Sequence, residues 1–187
     1  MEDKFSLSDG IIDKGNANKY ISPGIHDVKV IAIKTATSKA NKPYIIITVE
    51  DKNGAICSHN YSFNTEITPG KQVSAWSITK NALLQLATAV VGIEKAKSTL
   101  DAVGFDNFVN KLSATIIGKT LRMKIAGEEA VLTSGKTFVK SFFGTGLFAE
   151  SINNKPSTLY FDEDRNVKRL PKTETESTVA TGNDLPW

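Results

Sequence analysis

Between Gly24 and Phe63 apolar residues recur at the two-residue period that puts alternate side chains on one face of a strand. Gly24–Ile33 (GIHDVKVIAI) is dense in β-branched residues with partial alternation, and Tyr44–Val49 (YIIITV) is the strongest strand pattern in the chain. Ala55–Phe63 (AICSHNYSF) alternates with Cys57, His59, Tyr61 and Phe63 on one face. Pro23-Gly24 opens this block and Pro69-Gly70 closes it. Lys34–Lys42 (KTATSKANK) reads as a polar, basic loop, and Asp51-Lys52-Asn53-Gly54 carries the Asn-Gly pair favoured in tight hairpins. Three strands on such short connections predict an antiparallel meander.

The period then changes. Ser77 is placed to cap a helix over Ile78–Val91, with Leu83, Leu84, Leu86, Ala87 and Val90 on one side and Gly92 as its stop. Phe105, Phe108, Val109, Leu112, Ile116 and Ile117 repeat at helical spacing and predict a second helix from about Asp106 to Ile117, ended by Gly118. Ile93–Val103 fits either a short helix or an irregular linker. Strands return at Leu121–Ile125, with Leu121, Met123 and Ile125 inward and Arg122 and Lys124 outward. Ala130–Thr133 has the look of a short strand of its own. Thr137–Phe143 (TFVKSFF) is the last strong strand, with Phe138, Lys140 and Phe142 on one face, and Gly144-Thr145-Gly146 breaks it. Thr158–Phe161 fits a late edge strand, and the mixed charges of Asp162–Arg169 fit solvated surface.

Three meandering strands, a helical insertion over about 73–117 and two further strands follow the element order of the OB-fold, a five-stranded, partly open barrel with its helix between the third and fourth strands. The expected fold class is therefore mainly β with a helical insertion. The expected organisation is an arm over residues 1–20, the barrel over 21–170, and a flexible tail over 171–187. Within that tail, Lys172–Asn183 (KTETESTVATGN) has too little apolar surface to offset the entropy of ordering it. It ends in Asp184-Leu185-Pro186-Trp187. An aliphatic residue and an indole can fill a small pocket, Pro186 limits the freedom lost on docking, and Asp184 and a terminal carboxylate suit a basic rim. Those four residues are the candidate partner-binding peptide.

Charge sharpens the contrast between body and tail. The chain carries +3, but residues 172–187 hold one lysine against three acids, a net of −2 that leaves +5 on the remainder. A mildly basic body with a mildly acidic tail fits a polyanion binder. Cys57 is the single cysteine, which excludes an internal disulfide and a cysteine-based metal cluster, and its strand context makes it a small core residue. No apolar run is long enough to span a membrane. The opening MEDKFSLSDG lacks the basic start and apolar stretch of a secretory signal, so the expected location is the cytosol where the protein is made.

A sequence-tolerant binder of unpaired nucleic acid needs cations for phosphates and aromatic faces for bases, each stacked base contributing roughly 1–3 kcal/mol. OB-folds place these on strands two and three and on the loops after strands one and four. The candidates are Lys34, Lys39 and Lys42 of the first loop with Tyr44 beside them, Tyr61 and Phe63 of the third strand, Arg122 and Lys124 of the fourth, and Lys136, Phe138 and Lys140 of the fifth. Trp76, at a loop–helix junction, reads as a structural anchor. No base-specific reader is discernible.

Other chemistry fails on spacing. Gly135-Lys136-Thr137 resembles the end of a P-loop, but the required upstream glycine is Ala130 and a strand follows instead of a helix. His26 and His59 are far apart without a neighbouring cysteine, so neither a metal site nor a cofactor is expected. Adjacent side chains such as Asp162-Glu163-Asp164 do not readily converge on one ion. No nucleophile–base grouping can be argued, and no catalytic activity is expected.

The tail resembles the final peptide of bacterial and phage single-stranded-DNA-binding proteins, an acidic segment ending Ile- or Leu-Pro-Phe, with Trp187 in place of the phenylalanine and only Asp184 as an acid in the last eleven residues. The segments ISPGIHDVKVIAIKTATSKANKPYIIITVED and KLSATIIGKTLRMKIAG are similar to the first hairpin and the fourth-strand region of the phage-encoded members. Together these cover about a third of the chain. The resemblance implies an OB body that coats and protects single-stranded DNA in phage replication or recombination, within the host cytoplasm, and a tail that recruits replication or recombination proteins. Two alternatives stand beside it: a β-rich protein-interaction or virion-associated domain without nucleic-acid binding, and an RNA-binding OB protein. Oligomeric state is open.

Overall fold

The computed structural model of the chain describes residues 20–67 and 69–171. The expected arm and tail, with Asp184, Leu185, Pro186 and Trp187, fall outside those residues except for Tyr20 and Pro171. The architecture is mixed α and β. Strands β1 (Gly24–Thr37), β2 (Pro43–Asp51) and β3 (Ile56–Ser62) come first. Helices α1 (Ala75–Val91), α2 (Ile93–Leu100) and α3 (Phe105–Ile116) follow, inside the expected insertion. Then come β4 (Thr120–Val131), β5 (Thr137–Phe143), the two-residue β6 (Ala149–Glu150), the single turn α4 (Glu163–Asn166) and β7 (Val167–Lys168). None of these helices is long and apolar enough to cross a membrane.

The strands form one sheet in the order β3-β2-β1-β4-β5, with β6 and β7 both added to β4. Pairing is antiparallel except for β7, which runs parallel to β4. The sheet curls so that β5 comes against β3, but no ladder joins these two strands and the sheet is not closed. Side chains fill the seam. His59 of β3 stacks on Phe143 of β5 with ring centroids 5.5 Å apart, and Tyr61 packs on the same ring at 6.3 Å. Near the start of β3, Ile21 enters the seam. Its N–H donates to the Ile56 carbonyl at 3.1 Å and its carbonyl accepts from Ser141 Oγ at 2.6 Å.

The core lies inside the curl. Val28, Val30, Ile45, Ile47, Leu121, Met123 and Ile125 from the sheet meet Leu83 and Leu86 of α1 and Leu112 and Ile116 of α3, all essentially without exposure. Each such side chain contributes roughly 1.5–3 kcal/mol on burial. The lid of this core is the aromatic cluster of Phe63, Trp76, Phe105 and Phe108, with Phe63 and Trp76 stacked at 4.8 Å. Trp76 is thus an anchor, as its position suggested. Cys57 is buried, which pushes its thiol up to about 12.

Several expected boundaries move. β1 runs on to Thr37, because a bulge at Ile31 between the pairs Val30–Val49 and Ala32–Thr48 resets the alternation, so the basic loop shrinks to Ser38–Lys42. The α1 cap is Ser74, whose Oγ accepts from Ser77 N at 3.3 Å. Ile93–Leu100 is helical. Ala130 is not in a separate strand but near the end of one twelve-residue β4. Thr158–Phe161 is not a strand, since the Thr158 N–H is taken by a carboxylate before any ladder can use it. Asp162–Arg169 is surface in part only, with Val167 buried in β7.

That carboxylate is Glu150, with 3% of its side chain exposed. Burial alone would raise its pKa. Donors from Ser157 Oγ, Thr158 Oγ1, Thr158 N and Asn154 Nδ2 reverse the effect and hold it at about 2. Because this pKa is depressed from 4.5, the stabilisation is present above pH 4.5 and is lost as pH falls toward 2. Glu150→Ala, which orphans these donors, should cost about 3 kcal/mol, read from urea unfolding near neutral pH, and should flatten the acid limb of the stability curve. His59 adds a second limb: burial, and then Lys140, lower its pKa from 6.5, so protonation opposes folding and stability rises with pH in the window below 6.5. His59→Phe should remove that slope below pH 6.5, read from urea unfolding across pH.

Candidate nucleic-acid interface

The outward face of the sheet is fixed by the same alternation that builds the core. Odd positions 45, 47 and 49 of β2 and 57 and 61 of β3 are buried, so the even positions face out. Registration then sets Ala36, Tyr44 and Ser62 side by side across β1, β2 and β3, and Lys34, Ile46 and Asn60 in the next row. Thr48 and Ser58 follow, their hydroxyls 2.9 Å apart. On β5 the buried Phe143 marks the inner parity, leaving Phe138, Lys140 and Phe142 on the outer face with Lys136 one step before the strand. Consecutive members of this row are roughly 7 Å apart along the strand.

Because β5 lies against β3, two sides of one surface emerge. Lys34 and Tyr44 stand on one side, and Lys136, Phe138, Lys140 and Phe142 stand on the other. Ser58, Asn60 and Ser62 are the outward positions of β3, the strand that the curl brings between β2 and β5. Small polar side chains there leave room for a chain to lie across the sheet. Phe138 is 41% exposed, and its cross-strand neighbour is Ala130, whose methyl covers little of the ring. Tyr44 is half-buried and likewise faces the small Ala36 and Ser62.

The expected site residues divide. Lys34, Lys39, Lys136 and Lys140 are exposed, and none forms an ion pair among the described residues. Lys124 is also unpaired there but half-buried. Lys42 is held at the loop, its N–H on Ser38 Oγ at 3.1 Å and its ammonium on Glu66 at 3.0 Å. Arg122 is committed to partners within the fold. Its Nε donates to Asp27 at 2.8 Å, and its Nη1 donates to the Asn154 carbonyl at 3.3 Å and lies 3.6 Å from Glu150. Tyr61 is 6% exposed and stands on the core side of β3, where burial raises its phenol pKa. Phe63 is in the aromatic lid. Neither Tyr61 nor Phe63 offers a free ring face to a base in this conformation. The polar strip of Ser58, Asn60 and Ser62 was missed, although its alternation with Cys57, His59 and Tyr61 marks it as the outer face.

No family model matches the chain, and no curated protein sequence matches it.

The division makes its own test. Arg122→Ala should lower the melting temperature, since Asp27 and the buried Glu150 lose their cation. Lys34→Gln, Lys39→Gln and Lys140→Gln should each leave it within roughly 2 °C. A thermal scan of the four variants checks this.

Proposed function

We propose that the protein binds single-stranded DNA, without sequence preference, across the outer face of β2, β3 and β5. The observation that carries this reading is the pair of cation-and-aromatic rows, Lys34 with Tyr44 and Lys136, Phe138 and Lys140, on either side of the small polar side chains of β3. Unpaired ammonium groups suit phosphates, and rings beside small neighbours suit bases of any identity. The body reads as an OB barrel, in which the order β3-β2-β1-β4-β5 returns β5 to β3 and the helices fall between β3 and β4. The open seam is then the place where that barrel is finished by side chains instead of a ladder. Arg122, Tyr61 and Phe63 serve in this reading as supports for the surface, not as contacts.

The function is binding and protection of exposed strands during replication or recombination, without catalysis, in the cytoplasm of the cell that harbours the DNA. The tail peptide Asp184-Leu185-Pro186-Trp187 recruits partner proteins. Its acids, with Glu174 and Glu176, also compete for the basic surface when no DNA is bound.

Fluorescence anisotropy with oligo-dT, oligo-U and duplex DNA should show oligo-dT bound most tightly. Four phosphate contacts predict a log–log salt slope of about −3. Tyr44→Ala and Phe138→Ala should each weaken oligo-dT binding by about 1–3 kcal/mol. A protein that ignores oligo-dT in dilute buffer excludes the reading, and preference for oligo-U favours an RNA ligand. Deleting residues 179–187 should leave or raise DNA affinity while abolishing capture of replication proteins, measured on the same preparation.

A further inference from the structure

At the far end of the β5 row, Lys124 meets the turn that follows the strand. Gly144 continues the outward positions of β5, and its N–H donates to the Lys124 carbonyl at 2.8 Å. A side chain does not fit there. A Cβ on Gly144 would lie 2.8 Å from Lys124 O, 2.9 Å from Lys124 Cε and 3.2 Å from Lys124 Cγ. The lysine stem is therefore laid along the glycine, with the ammonium one bond past Cε. Lys124 has no ion-pair partner among the described residues.

Beyond Gly144 the chain exposes Thr145, Gly146 and Leu147, with Gly146 at φ 68°. Their N–H groups have no acceptor among the described residues. The turn is nonetheless held firmly from behind by Gln85 of α1. Its Nε2 donates to the Gly146 carbonyl at 3.0 Å and its Oε1 accepts from Phe148 N at 3.1 Å. Solvent-exposed amides of a braced turn beside an unpaired ammonium are an arrangement that binds anions. The amides supply directed donors and the lysine supplies charge.

We infer that Lys124 and the amides of Thr145 and Gly146 form a phosphate clasp. The inference rests on the single-stranded-DNA reading in taking a backbone phosphate as the ligand, since the clasp lies where a strand following β5 would leave the sheet. A free phosphate ion shares the chemistry, so both are used as probes. Amide spectra of the full-length 15N-labelled protein are recorded with oligo-dT and, separately, with inorganic phosphate. Both should shift the Thr145 and Gly146 amides. Lys124→Gln should abolish both shifts and reduce the oligo-dT salt slope by about 0.7, the share of one phosphate on a single strand. Gly144→Ala, which displaces the lysine without removing its charge, should do the same. Phe138→Ala should weaken oligo-dT binding and leave the slope alone. The clasp is overturned if these two amides stay still with both probes, or shift in Lys124→Gln as they do in the wild type. Shifts with inorganic phosphate in a protein that does not bind oligo-dT uphold the clasp and remove the DNA reading. Oligo-dT binding that leaves both amides unmoved, with phosphate also inert, does the reverse.

Discussion

Strand β4 is the wall on which every other part of the sheet depends, and it can serve because of one missing side chain. Its first half pairs with β1 and β6, and its second half pairs with β5 and β7. The change from β1 to β5 falls at Ile125, and two residues on, at Gly127, a Cβ would lie 2.6 Å from Pro23 Cγ and 2.6 Å from Val139 Cγ1. Any larger residue would push apart the entry to β1 and the hairpin of β4 and β5. With glycine, the two approach closely, β5 swings toward β3, and the core beneath is enclosed. The close packing of the Pro23 and Val139 side chains on Gly127 therefore lies on the face of the sheet opposite the outer surface.

What the sequence made legible was parity, and what it hid was long-range commitment. Alternation placed Leu121, Met123 and Ile125 inward, and the hydrophobic periods located the three principal helical and strand blocks in their correct order. Alternation also held the answer on β3. Cys57 was assigned to the core, and Tyr61, four residues on, had to share its side. Choosing Tyr61 as a base platform followed residue chemistry against residue parity, and the structure follows parity. The bulge at Ile31 was invisible because the apolar run Val30–Ile33 reads equally well in either phase. The segment after β5 could not be read at all. Glu150 gathers donors from Asn154 to Thr158, and Arg122 joins it from β4, an arrangement set by tertiary approach and not by any local period.

The surface proposed for DNA has the economy expected of a binder that does not read sequence. Its two rows carry charge and ring faces, while the strand between carries hydroxyls and an amide short enough not to obstruct. Base-specific recognition would call for rigid forked donors held toward the surface. The one guanidinium among the strand candidates, Arg122, is instead fixed to Asp27, Asn154 and Glu150. What remains available is lysine, which attracts phosphate as a point charge and imposes little geometry.

Arg122 and Lys124 show how the same strand gives two cations opposite roles. They stand two residues apart on the same face, and sequence alone treats them alike. Opposite Arg122, β6 presents Glu150 and β1 presents Asp27, so a planar fork with several donors satisfies two carboxylates and a carbonyl at once. Opposite Lys124, the chain presents Gly144, which offers no acid and no side chain, only room for an alkyl stem. A lysine in the first position would carry the charge without the planar fork that reaches Asp27, the Asn154 carbonyl and Glu150 together. An arginine in the second would bring a bulky planar head to a slot shaped by a bare backbone. The neighbours, not the strand, decide which charge is committed to the fold and which is left without an ion-pair partner among the described residues.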